Sequence, residues 1–144
     1  MTSSGFPPLK TLGSPLFFLD AVPPEVLERC APMLRAISLE APETVGGIVV
    51  ITSHIREPRG AFSWHWTGDA VDWRTGIKPD RLADEPGAIV ASSRDEAIEI
   101  AKAWTDRVAA RLGNEFDVVG PRDAKHVDHG HAEHDGRKAA RVHF

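Results

Sequence analysis

Two segments far apart in the chain constrain its fold more than any other feature. The first is Ser63-Trp-His65-Trp-Thr-Gly68-Asp-Ala70-Val-Asp72, and the second is His126-Val-Asp128-His129-Gly-His131-Ala-Glu133-His134. A His and an Asp seven residues apart, His65 and Asp72, cannot close a four-coordinate metal site alone. A His-x-His strand arriving from far along the chain supplies what is missing. Zinc takes imidazole nitrogen and carboxylate oxygen at about 2.0–2.2 Å, and a catalytic site has three protein ligands plus water. If both segments hold one ion, the fold must bring them to one point.

At 144 residues the chain is long enough for one domain with its own core. The net charge of −4 gives no electrostatic case for nucleic acid, which asks for a basic face. The single cysteine, Cys30, excludes an internal disulfide. Lying near Leu27, Leu34 and Ile37 in sequence, it reads as a buried structural thiol rather than a nucleophile. No segment reaches the roughly 18 apolar residues of a membrane span. Residues 14–20, Ser-Pro-Leu-Phe-Phe-Leu-Asp, are too short for a signal-peptide core, so synthesis in the cytoplasm without a signal peptide is expected.

Residues 1–22 are rich in Pro, Gly and Ser and are expected to form an irregular arm, with residues 23–144 as a single domain. Pro23-Pro24-Glu25 suits a helix start, because Pro fits the first turn and Glu complements the dipole there. Pro32 is expected to kink that helix or split it before Ile37. Residues 47–52, apolar and β-branched, predict a buried strand. Residues 54–68 read as a loop, and 69–73 as a strand with Ala70 and Asp72 facing one way and Val71 the other. A polar loop is expected over 74–91.

Ser93-Arg-Asp-Glu96 has the capping-box form that starts a helix. Ala97, Ala101, Trp104, Val108 and Leu112 recur on one helical face, and Gly113 ends the element. Strands are expected at 116–120 and 127–133, with a turn between them. The order of elements predicts an α+β fold, a small antiparallel sheet with helices packed on one side.

His129 and His131 share a face, because side chains alternate along a strand. His126 and His134 are less well placed. Gly68 permits a tight turn between His65 and Asp72, and Ser63 can fix the loop by local hydrogen bonds. Trp64, Trp66 and Trp73 are expected to line the walls. Taken singly, each segment has a plain reading. The first is a loop with an incidental His and core tryptophans, and the second a solvated histidine-rich tail. Together they favour a built site.

On these residues the sequence resembles the hedgehog-like zinc peptidases, of the D-alanyl-D-alanine carboxypeptidase and L-alanoyl-D-glutamate peptidase type. Their signature Ser-x-His-x-x-Gly-x-Ala-x-Asp is met at Ser63, His65, Gly68, Ala70 and Asp72. Upstream, Ile51-Thr52-Ser53-His54-Ile55-Arg56 is similar to the family's Ile-Thr-Ser-Gly-Tyr-Arg strand end. Downstream, His129-Gly-His131-Ala-Glu133 is similar to its His-x-His motif followed by Glu. The resemblance covers about residues 46–136.

It implies a hedgehog/D,D-peptidase-like fold, one zinc as cofactor, and hydrolysis of a peptide bond in peptidoglycan stem peptides, at or near a D-amino acid. The implied ligands are His65, Asp72 and His131. Arg56 matches an arginine that holds the substrate, and its plain reading is an ion pair with Glu57 or Asp69. Ser63 and Trp66 join Arg56 as candidate substrate-binding residues. His129 matches the histidine beside the metal.

The chain also departs from the family's pattern. His54 stands where Gly is usual, and Asp128 stands where many members have a catalytic Glu three residues before the last metal-binding His. Glu133 shares the face of His131, but the family does not use that Glu as base. Asp128 and His129 are therefore the candidate bases, with Arg56 the candidate for stabilising charge on the carbonyl oxygen. Without a signal peptide, such an enzyme fits phage lysis or a virion, acting on the cell wall after release or from the particle, with other phage proteins as partners.

Two readings compete with it. In one, the chain is a structural or binding module of a phage particle, with the same fold and metal but little catalysis, as Asp128 in place of Glu would suggest. In the other, the histidine-rich end only buffers metal. Ser63, Gly68 and Ala70 speak against that, because metal binding alone does not need them.

Overall fold

The computed structural model describes residues 13–19, 22, 24–53, 70–120 and 129–134. In chain order these form β1 (Leu16–Phe18), α1 (Pro24–Leu39), β2 (Val49–Ser53), β3 (Ala70–Arg74), α2 (Arg94–Leu112), β4 (Phe116–Val119) and β5 (His129–His134). A single 3-10 turn at Val45–Gly47 leads into β2.

The start of α2 follows from its capping residues. Ser93 Oγ accepts the backbone N–H of Glu96 at 3.1 Å. The reciprocal bond of a capping box lands one residue earlier than expected, since Glu96 Oε1 accepts from Ser92 N at 2.6 Å and Ser92 Oγ at 2.9 Å. These bonds hold the Glu96 carboxyl below the usual carboxylate range. At the far end Gly113 takes φ 89°, a region that favours glycine, and its N–H bonds Ala109 O. Ala97, Ala101, Trp104 and Val108 are buried, with Leu112 partly buried beside them, so the predicted face is the packed one.

In α1, Val26, Cys30, Met33, Leu34 and Ile37 turn inward. Pro32 lies inside this helix and does not split it, contrary to one form of the expectation. It sits on the exposed side, where water can reach a carbonyl that loses its helical partner. Leu27, expected beside Cys30, points outward.

The sheet has the order β1-β2-β3-β5-β4. All pairs are antiparallel except β1 with β2, which is parallel. The fold is α+β as expected, but the sheet is mixed rather than wholly antiparallel. The parallel edge comes from Leu16–Phe18, inside the stretch expected to be an irregular arm. Val49, Ile51, Val71, Trp73 and Ala132 of the sheet form one buried cluster with the inward faces of α1 and α2. The loop expected over 74–91 is polar but well anchored. Ile77, Ala88 and Ile89 are buried in it, and Ile89 N bonds Thr75 O at 2.9 Å.

Candidate metal centre

β3 is an inner strand of the sheet, flanked by β2 and β5. Val71 and Trp73 enter the core, so alternation turns Ala70, Asp72 and Arg74 to the opposite face. β5 runs antiparallel beside it, with Asp72 opposite His131, Arg74 opposite His129 and Ala70 opposite Glu133. Directly opposed residues share a face. Asp72, His129, His131 and Glu133 therefore gather on the side of the sheet away from the helices.

Asp72 is only 3% exposed, and a buried carboxylate needs a partner. His131 provides one, with Nδ1 at 2.6 Å from Asp72 Oδ1. The other ring nitrogen, Nε2, lies 2.7 Å from Glu133 Oε1. His129 Nε2 stands further off, 3.9 Å from Asp72 Oδ2. Burial pulls the His131 imidazolium down, but the hydrogen bonds to Asp72 and Glu133 and their charges outweigh it, pushing its pKa up to about 9. The ring therefore sits between two carboxylates in a site that favours positive charge.

Imidazole nitrogen and carboxylate oxygen are donors that zinc takes, so Asp72 and His131 suit that metal as two of its ligands. The third expected ligand, His65, lies outside the described residues, as do Arg56, Ser63, Trp66 and Asp128. Among the described residues, no group of three His, Cys, Asp or Glu side chains is placed to hold a metal. His134 faces elsewhere, as expected, with Nε2 3.5 Å from Glu115 and its ring edge-on to Phe116.

Two features of the site were not foreseen. Trp73 was expected to line a wall, yet it is fully buried on the core side, because it neighbours Asp72 in a strand and must face the other way. Its ring lies beneath Gly130, the residue between the two histidines. A Cβ added at Gly130 would fall 2.2 Å from the Trp73 ring. The signal was a lone Gly inside a strand, which often marks a close approach.

Trp73 cannot easily yield, because it also packs against the equally buried Trp104, with ring centroids 5.6 Å apart. Gly130→Ala is therefore expected to cost about 1–3 kcal/mol, as overpacked cores do, and to push His129 and His131 off their positions. A chemical denaturation midpoint equal to wild type would show that the strand can accommodate the methyl group.

Compared with protein-family models, with curated proteins and with solved structures, the chain finds no match.

Proposed function

We propose that the chain is a zinc-dependent peptidase that hydrolyses peptidoglycan stem peptides, with a hedgehog/D,D-peptidase-like fold. The observation that carries the reading is the contact between Asp72 and His131. These residues come from the two segments that the resemblance joins, and they meet on neighbouring strands although they are 59 positions apart in sequence. Their opposed register positions and the burial of the carboxylate support this reading.

When bound, zinc supplies Lewis acidity to the scissile carbonyl and lowers the pKa of water. The chain's own residues do the rest. Asp72 and His131 hold the metal together with His65. Arg56 steadies charge on the carbonyl oxygen, while Ser63 and Trp66 help to place the peptide. Asp128 takes the proton from the attacking water and passes it to the leaving amine. A place in phage lysis or in a virion, acting on the cell wall, suits such an activity. The described residues contain no helix long and apolar enough to cross a membrane.

The direct test is incubation of purified protein with purified peptidoglycan, with and without chelator, following new amino groups. Release that chelator abolishes supports the reading. A protein that holds zinc firmly but releases nothing would favour the structural-module reading, to which Asp128 in place of Glu already points.

The base has its own test. Asp128→Asn is expected to bind zinc as wild type does but to lose about 10²–10⁴ in rate, the usual worth of a general base. His129→Ala should have the smaller effect. Full activity in Asp128→Asn with none in His129→Ala would reverse the assignment.

A further inference from the structure

His131 has two ring nitrogens, and they face opposite ways. Nδ1 meets Asp72 Oδ1 at 2.6 Å, and Nε2 meets Glu133 Oε1 at 2.7 Å. An ion held by both Asp72 and His131 must lie on the Nδ1 side of the ring. Nε2 is then left to carry the ring proton, directed at Glu133. From this geometry, and resting on the zinc reading above, we infer that Glu133 is a positioning residue. Its carboxylate accepts the Nε2–H of His131 and so fixes the tautomer and the ring plane that present Nδ1 to the metal. Carboxylate partners of this kind orient metal-binding histidines and raise their basicity.

A second observation supports this role. Asp117 of β4 stands directly opposite Glu133 in the sheet register. Like charges at such positions are destabilising unless each has its own partner, and the partner of Glu133 is the His131 imidazole. Glu133 is also excluded as the base by its place, because it lies across the ring from the side that Asp72 occupies.

The experiment is zinc affinity, measured by competition with a chromophoric chelator, with the cobalt(II) absorption spectrum as a readout of ligand geometry. Glu133→Ala is expected to weaken zinc by about 10–100-fold, as loss of such partners does, and to alter the cobalt spectrum. Glu133→Gln should recover part of the affinity, because its amide oxygen still accepts the Nε2–H. Circular dichroism in chelator reports whether each variant folds. If Glu133→Ala does not fold, Glu133→Met decides, since it is similar in length but has no oxygen to accept the Nε2–H, and wild-type affinity there overturns the inference. Wild-type affinity in a folded Glu133→Ala, while His131→Ala loses zinc, overturns the role of Glu133 and leaves the zinc reading intact. A wild-type protein that takes up no zinc would instead remove the zinc reading, and this inference with it.

Discussion

Asp72→Ala is expected to reduce bound zinc from about one per chain to background and to abolish chelator-sensitive hydrolysis. Asp72 is central to the site for two reasons. Its backbone is held on both sides, because β3 lies between β2 and β5. Its carboxylate is nearly inaccessible and already directed at the His131 imidazole. A cation that displaces the Nδ1 proton of His131 therefore meets an oxygen already in place. Loss of a direct ligand should therefore exceed the roughly 10–100-fold penalty typical of an outer partner.

The same substitution should disturb the fold less than the metal. Breaking a buried ion pair is costly when one charge is left uncompensated, about 3–5 kcal/mol. Here His131 keeps Glu133 at 2.7 Å, so the imidazole is not stranded. Metal analysis, paired with a denaturation curve in chelator, separates the two effects. Equal zinc in wild type and Asp72→Ala would exclude Asp72 as a ligand.

The parts of the molecule legible in the sequence are those written in local, repeating patterns. Ser93 and Glu96 mark where α2 begins, and the run from Ala97 to Val108 gives its buried face. Alternation along β3 sets Asp72 against Val71 without any knowledge of neighbouring strands. The same rule places His131 and Glu133 on one face of β5. Strand neighbours are a different matter. Nothing local to Leu16–Phe18 says that it pairs parallel to Val49–Ile51, because that pairing depends on residues far along the chain.

The course of α1 through Pro32 is similarly non-local. Packing of Met33, Leu34 and Ile37 into the core outweighs the local penalty of a proline on the exposed side. At the site, alternation shows that Glu133 shares the face of His131 but not that it meets Nε2 rather than Nδ1. That depends on where Asp72 stands across the strand pair. Trp73 is the instructive error. Its type suggested a pocket wall, whereas its position beside Asp72 already required the opposite face.

Trp104→Ala is expected to cost about 3–5 kcal/mol, the range for truncating a large buried aromatic, and towards its upper end. Trp104 is completely buried at the centre of the inward face of α2, so the truncation leaves a cavity between α2, α1 and the sheet. Its indole Nε1 also donates to Ile37 O at 3.2 Å. Ile37 lies in the last turn of α1, where carbonyls lack partners within the helix. A single side chain thus fills the core and caps a neighbouring helix.

Trp104→Phe separates these roles. It keeps much of the packing but cannot donate, so it should fall between wild type and the alanine variant. The loss should also reach the site, because Trp104 backs Trp73 and Trp73 lies under Gly130. Folded Trp104→Phe is therefore expected to bind zinc more weakly than wild type, although residue 104 touches no proposed ligand. Stability should be measured in chelator, since a ligand that binds only the native state raises apparent stability by mass action. An unchanged midpoint in Trp104→Ala would mean that the buried face of α2 is wrongly assigned. Unchanged zinc affinity in Trp104→Phe would confine the effect to the core.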